Sequence, residues 1–193
     1  MLGWYGLRDP APSVERWNTE YASGRWAYVG QLPELSRLSV VVGYLRHFAP
    51  GGSVLDLGCG EGFLLQRLQP SEYARYVGVD FSGAAVDKAT ALRLPEATFV
   101  TADVDAYRPT ETFDAIVFTE VLYYLPDPVR TVERYARHLN GKGVVVVSIN
   151  TNFRGGLAIV RKLKQQHATL EEVRLTHPDG HRSWVCAVLA VNR

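Results

Sequence analysis

Residues 54–62 read Val-Leu-Asp-Leu-Gly-Cys-Gly-Glu-Gly. An apolar strand carrying Asp56 runs into three glycines at alternating positions, Gly58, Gly60 and Gly62, with Cys59 inside the turn. The pattern Phe63-Leu64-Leu65-Gln66-Arg67-Leu68 follows at once, so a helix is expected over about 63–69. Where a strand turns into a helix with its side chains removed, a ligand can lie against bare backbone. Asp56 marks that ligand as partly cationic or rich in hydrogen-bond donors, which argues against a bare phosphate.

The stretches on either side repeat the strand–helix alternation. Before the turn, residues 32–49 carry apolar side chains at Leu35, Leu38, Val41, Val42, Leu45 and Phe48, a helix that stops at Pro50-Gly51-Gly52. After it come short apolar runs, expected as buried parallel strands, at 76–79, 98–100, 115–119 and 144–149, in addition to 53–57. Helices are expected at 83–92, 128–139 and 156–167, the second with Asp127 as N-cap and Pro128 at its first position. Two closing strands, 171–176 and 184–191, flank the turn Pro178-Asp179-Gly180. Five strand–helix units and a terminal hairpin predict a single α/β domain with an open, doubly wound sheet. Ligands of such sheets sit at the carboxyl ends of the strands.

Composition sets the class without naming the partner. A chain of 193 residues, 47% hydrophobic and 21% charged, suits one soluble globular domain. A formal net charge of +1 gives no electrostatic reason to expect nucleic acid or an anionic membrane. Cys59 and Cys186 make no disulfide framework, the first ten residues do not read as a signal peptide, and no apolar run is long enough to span a bilayer; a cytoplasmic location is expected. Residues 1–31 differ in texture, with Trp4, Tyr5, Trp17, Tyr21, Trp26 and Tyr28 among prolines, glycines and polar residues. They read as an irregular or partly helical arm. Trp26 and Tyr28, between Gly24 and Gly30, can serve as a lid over the ligand or simply pack on the sheet.

Four acidic residues, Asp56, Asp80, Asp103 and Glu120, fall at or just beyond expected strand ends, so they should line one crevice. Asp80 lies 20 residues after Gly60, the place for a carboxylate that accepts both hydroxyls of a ribose. Asp103 can accept from the exocyclic amine of an adenine. Asp56 can accept from the N–H groups of its own loop or face an ammonium. The plainer alternatives are a capping role for Asp80 and a surface turn for Asp103. The glycine spacing is G-x-G-x-G, whereas the dinucleotide fingerprint is G-x-G-x-x-G. A nicotinamide-dependent oxidoreductase is therefore the natural rival, opposed by Asp56, whose charge would repel a pyrophosphate. No Gly-Lys-Ser/Thr follows, which excludes a P-loop.

Together Val54–Gly62, Val79-Asp80-Phe81-Ser82, Ala102-Asp103 and Phe113-Asp114-Ala115-Ile116-Val117 resemble the ordered motifs of class I S-adenosylmethionine-dependent methyltransferases, from about residue 50 to the end. The resemblance implies a Rossmann-like fold over residues 32–193, a mostly parallel seven-stranded sheet whose last strand is antiparallel. It implies S-adenosyl-L-methionine as cofactor, with S-adenosyl-L-homocysteine as product. Asp56, Gly58, Cys59, Gly60 and Gly62 would hold the methionine part. Asp80, with Phe81 and Ser82, would take the ribose, and Asp103, with Ala102 and Val104, the adenine edge. Further cofactor contacts are expected from Thr119, Glu120 and Trp26.

Thr119-Glu120-Val121-Leu122-Tyr123-Tyr124-Leu125 is similar to the N-methyltransferases of nodulation-factor synthesis, which act on an amino sugar, and to relatives in bacterial secondary metabolism. The segment after the fourth strand faces the transferred methyl in this fold, so Glu120, Tyr123 and Tyr124 are the catalytic candidates. Glu120 can orient an ammonium or hydroxyl, and the tyrosines can wall a sulfonium through cation–π contact or simply pack in the core. Arg37 can meet the methionine carboxylate or an acidic substrate.

None of His47, His138, His167, His177 and His181 neighbours a motif or has metal-ligand spacing, so no metal is expected. The basic run from Arg154 to Lys164 reads as a solvated helix face. The expected activity is methyl transfer to an amine or hydroxyl of a small molecule, an amino sugar or natural-product intermediate being in view. A non-catalytic binder of the same cofactor is the alternative from another class. Nucleic acid and membrane are not expected as partners, and a monomer or homodimer is.

Overall fold

The computed structural model describes residues 13–153 and 155–191; Trp4, Tyr5 and Arg154 lie outside them. Helix α1 (Val14–Ala22) and helix α2 (Leu32–Phe48) precede β1 (Ser53–Leu57), β2 (Arg75–Asp80), α3 (Gly83–Ala91) and β3 (Ala97–Thr101). Then come β4 (Phe113–Thr119), α4 (Pro128–Ala136), β5 (Leu139–Asn150), α5 (Gly156–Gln166), β6 (Ala168–Thr176) and β7 (Ser183–Ala190). The seven strands form one sheet in the order β3-β2-β1-β4-β5-β7-β6. Strands β1 to β5 pair in parallel, and β7 runs antiparallel to both β5 and β6. The strand order reverses between β1 and β4, which opens the crevice where ligands of such sheets bind.

Strand β4, Phe-Asp-Ala-Ile-Val-Phe-Thr, explains why the sheet is covered on both faces. Its Ile116 and Phe118 join Leu55 and Leu57 in one apolar cluster with Val132 and Tyr135 of α4 and Leu163 of α5. The intervening Ala115 and Val117 join Val54 and Val146 in another, under Leu38, Val41 and Leu45 of α2. Alternate residues of a strand point to opposite faces, so a near-continuous apolar run is what a doubly covered strand requires. The Asp127 carboxylate accepts from the Arg130 N–H at 3.1 Å and Pro128 opens α4, as its sequence predicts.

The structure corrects several expected bounds. No α-helix forms over 63–69; that stretch holds only a 3-10 turn, Leu65–Arg67. It is confined between Gly62, at φ +75°, and Pro70, too few residues to nucleate a helix, while Leu64, Leu65 and Leu68 are buried whatever the backbone does. The crossover from β3 to β4 also lacks a helix, so two of the five expected strand–helix units are strand–turn units. Helix α4 stops at Ala136 instead of 139, because the His138 carbonyl already accepts from Phe113 N–H at 2.8 Å and Leu139 already pairs with Phe113. Strand β5 therefore starts five residues earlier than its apolar run, with a register shift between Phe113 and Ala115.

Candidate functional site

The parallel strands bring their carboxyl ends to one edge, and in the order of the sheet these carry Asp103, Asp80, Asp56 and Glu120. Gly58 sits at φ +77°, and a Cβ on it would lie 2.7 Å from Val121. The bare backbone thus lets the loop after β1 approach the loop after β4. The N–H groups of Gly58 and Cys59 both donate to the Val79 carbonyl, at 2.8 and 3.1 Å.

Asp80 ties the glycine loop to the next helix. One carboxylate oxygen accepts from Gly60 N–H and the other from Ser82 N–H, each at 2.9 Å. The side chain is buried, and burial pushes its carboxyl up to about 6 while the N–H groups of Ser82, Gly60 and Phe81 hold it down. With these donors in place the carboxylate still has acceptor capacity left for a ligand hydroxyl.

Of the two expected roles of Asp56, the contact with its own loop is not formed. The Tyr76 hydroxyl donates to Oδ2 at 2.5 Å, and Oδ1 has no hydrogen-bond partner. Full burial, with Asp80 nearby adding to it, pushes this carboxyl up to about 7. A buried carboxylate oxygen without a donor is costly in isolation, and an ammonium or sulfonium nearby relieves it.

Asp103 is exposed, and its Oδ1 accepts from Asp105 N–H at 2.7 Å, as in the surface-turn alternative. Ala102 N–H donates to the Asp80 carbonyl at 2.9 Å. The Val104 side chain belongs to the core, and its carbonyl accepts from the hydroxyl of Tyr135 at 2.6 Å and from Arg134 at 2.8 Å.

Glu120, directly after β4, has φ +58°, a left-handed conformation that non-glycine residues adopt at a cost of about 1–3 kcal/mol. Its backbone N–H donates to the Ser148 carbonyl at 2.9 Å. The Tyr123 hydroxyl donates to Oε2 at 2.8 Å and the Ser148 hydroxyl to Oε1 at 3.0 Å. Burial raises the Glu120 carboxyl; the Arg37 charge and the two hydroxyls pull it back. Arg37 itself is buried against Glu34, Nε to Oε2 at 2.5 Å, and its Nη1 has no acceptor. Thr119, beside Glu120, pairs with Ser148 in the register of β4 on β5.

Aromatic rings close this end of the crevice. Tyr123 meets Tyr124 at 4.8 Å and Phe153 at 4.9 Å between ring centres, and Trp17 of α1 meets Tyr124 at 5.3 Å and Phe81 at 6.0 Å. The arm lies across the strand ends. The Asn18 side-chain oxygen accepts from the Ser82 hydroxyl at 2.7 Å and from Ala84 N–H at 3.3 Å, at the start of α3. Lys88 donates to the Tyr21 carbonyl at 2.5 Å and to Glu61 at 2.8 Å. The Tyr21 hydroxyl lies 3.1 Å from where a Gly60 Cβ would stand. Tyr21, and not Trp26, is therefore the arm residue on the glycine loop. Trp26 backs it, stacked on Trp17 at 4.9 Å, with its indole N–H buried and unpartnered.

Sequence reasoning missed Tyr21, Asn18, Tyr76 and Ser148. Ser148 carried a signal, being the one polar residue in Val-Val-Val-Val-Ser-Ile. Among the described residues no group of three or more His, Cys, Asp and Glu is placed to hold a metal ion.

A glycine turn without side chains, a ribose-spaced carboxylate with free lone pairs and an orphaned buried Asp56 oxygen suit a nucleoside carrying positive charge. A family model described as a methyltransferase domain matches residues 28–187. The chain is 35% identical over 104 residues to the trans-aconitate 2-methyltransferase of Azoarcus sp. (strain BH72), covering 52% of this chain and 40% of that protein. It is 30% identical over 137 residues to that of Afipia carboxidovorans, covering 65% and 52%. The chain thus spans about half the length, or less, of these curated relatives.

In fold it is similar to N-methyltransferase NodS from Bradyrhizobium japonicum WM9 in complex with S-adenosyl-L-homocysteine, with a TM-score of 0.80, 20% identity and coverage of 93% and 97%. It is similar also to magnesium protoporphyrin IX methyltransferase from Synechocystis PCC 6803, with a TM-score of 0.72, 18% identity and coverage of 94% and 99%. The chain belongs to the methyltransferase-domain family, in the class I fold whose cofactor is S-adenosyl-L-methionine.

Proposed function

We propose that this chain transfers a methyl group from S-adenosyl-L-methionine to an amine or hydroxyl of a small molecule, such as an amino sugar or a natural-product intermediate. The observation that carries the reading is Glu120. A strained carboxylate, held by two hydroxyl donors, stands at the end of β4 across from the Gly58 loop. Strain of this kind persists only where the surroundings over-determine it, and it concentrates at working sites.

When bound, the cofactor supplies a methyl group already activated by a sulfonium. The protein's task is then to align the acceptor, stabilise charge and keep water out. Gly58, Cys59, Gly60 and Gly62 offer backbone to the methionine part, with Asp56 as counter-charge beneath. Asp80, flanked by Phe81 and Ser82, accepts from the ribose, and Asp103 with Ala102 and Val104 borders the adenine. Thr119 and Glu120 border the reacting end, and Glu120 orients the acceptor between Tyr123 and Tyr124. The described part of the arm, residues 13–31, acts as the lid: α1 rests on the glycine loop through Tyr21, and Trp26 stiffens it from behind.

The partner is a small acceptor met in the cytoplasm, with the chain acting as monomer or homodimer; no helix among the described residues is long and apolar enough to cross a membrane. Incubation with S-adenosyl-L-methionine and a panel of amines and hydroxyl compounds tests the reading through release of S-adenosyl-L-homocysteine. Stoichiometric cofactor binding with no release across that panel would favour a non-catalytic binder.

A further inference from the structure

The surroundings of Glu120 narrow the acceptor, given the methyl-transfer reading on which this inference rests. Both carboxylate oxygens accept from neutral hydroxyls, Tyr123 and Ser148, on opposite sides. Ser148 is fully buried on β5, so its donor is fixed in place. From α2, Arg37 bears on Glu120 electrostatically but spends its Nε on Glu34, which also meets Arg182 of the β6–β7 hairpin at 3.6 Å. Arg182 in turn is paired with Asp179 at 2.7 Å. His177 of the same hairpin also meets Asp179, Nδ1 to Oδ2 at 2.9 Å, and lies against Arg182, while burial raises Tyr28, Tyr123 and Cys186 and so keeps them neutral. Of the three carboxylates here, Glu34 pairs with Arg37 and Arg182, and Asp179 with Arg182 and His177, whereas Glu120 has no salt bridge among the described residues. The rest of the wall is aromatic, Tyr123, Tyr124 and Phe153.

We propose that Ser148 and Arg37 are positioning residues that hold Glu120 as a fixed negative charge for an acceptor that becomes cationic, so that the methylated atom is an amine nitrogen. An amine lone pair forms the new N–C bond as the methyl–sulfur bond breaks; that bonding pair stays on sulfur, and the positive charge passes to nitrogen. The methylated ammonium loses its proton to bulk water after it leaves the site. A carboxylate beside π faces stabilises charge that develops this way. An acceptor that begins as a carboxylate or alkoxide would instead meet the Glu120 charge as repulsion.

The test uses the full chain with carboxyl-13C-glutamate and bound S-adenosyl-L-homocysteine, the Glu120 resonance being assigned by its loss in Glu120→Gln. Methylammonium chloride should move that resonance, and trans-aconitate, a tricarboxylate, should not. In Ser148→Ala the titration midpoint of Glu120 should rise by roughly half to one pH unit, as for a lost hydrogen bond to the charged form, and in Arg37→Gln it should rise as well. No response to methylammonium, a response to trans-aconitate, or an unmoved midpoint in Ser148→Ala overturns the proposal. Should Arg37→Gln fail to fold, Ser148→Ala still decides. Calorimetry of S-adenosyl-L-homocysteine on the same samples separates the two failures. Absent binding defeats the methyl-transfer reading, whereas normal binding with a silent Glu120 defeats the amine assignment alone.

Discussion

Under the proposed function Asp80 would serve the protein and its ligand at once, and the two duties can be separated. Its oxygens hold Gly60 N–H and Ser82 N–H, so Asp80→Ala frees the glycine loop as well as removing the ribose acceptor. S-adenosyl-L-methionine binding should weaken by about 2 kcal/mol or more, read by calorimetry. Asp80→Asn keeps one acceptor and most of the shape, so it should fall between the two; equal losses in both variants would mean that charge, and not loop geometry, is what matters. Glu120→Gln should leave cofactor affinity intact and lower turnover by about 10²-fold or more, the usual span for a positioned acid–base group. Unchanged turnover would exclude Glu120 from the reaction. Asp80 and Glu120 were legible because a carboxylate at the end of an apolar run needs no knowledge of its neighbours. Ser148 and Tyr76 were not. Ser148 reaches Glu120 because β5 pairs with β4 in the register Thr119 on Ser148, and Tyr76 reaches Asp56 from the neighbouring strand, where Asp56 lies opposite Gly78. Register is a long-range property that no local pattern states.

Among the elements, α1 is the one whose position bears most on ligand entry. It is latched to α3 by Asn18 on Ser82 and Ala84 and by Lys88 on the Tyr21 carbonyl, and it sets the Tyr21 ring over the glycine loop. If this helix is a lid, releasing it speeds entry. The double variant Asn18→Ala, Lys88→Met should raise the association rate of S-adenosyl-L-methionine in stopped-flow tryptophan fluorescence, with Trp17 and Trp26 as reporters. A rate and amplitude equal to those of the unaltered chain would make α1 a fixed wall. The sequence placed this arm by texture alone, since aromatic residues among glycines and prolines say that a segment packs without saying on what. The same limit explains the misread stretch after Gly62. Apolar residues at 63–65 and 68 suit a helix, yet burial of Leu64, Leu65 and Leu68 needs only proximity to the sheet, and Pro70 cuts the run short. Strand β4, long, apolar and bounded, was read within two residues of its bounds because both its faces are buried.

For the whole molecule, the buried site carboxylates set how stability follows pH. Asp56 and Asp80 ordinarily titrate at 3.8; burial moves them to about 7 and about 6 in the folded chain. A raised carboxyl means that the folded state holds protons which the unfolded chain has released. Stability therefore increases as pH falls through 7 and 6, and the gain is complete near 4, where the unfolded carboxylates protonate too. His167 works in the opposite direction. It is buried with neither ring nitrogen partnered, and burial lowers it below its ordinary 6.5. The unfolded imidazole takes a proton that the folded one refuses, so its contribution is lost as pH falls below 6.5. Two carboxylates outweigh one imidazole here, and the urea midpoint should be higher at pH 6 than at pH 8. Asp56→Asn should flatten that slope, whatever it does to stability at any single pH. A slope that persists would assign the effect elsewhere. The cofactor reverses the preference, because a sulfonium and an ammonium favour ionised carboxylates, so saturating S-adenosyl-L-methionine should draw protons off Asp56 and Asp80. The stability maximum should then move to higher pH, each unit of restored acidity at either group being worth at most about 1.4 kcal/mol. An unshifted maximum in the loaded protein would place the positive charge away from both carboxylates.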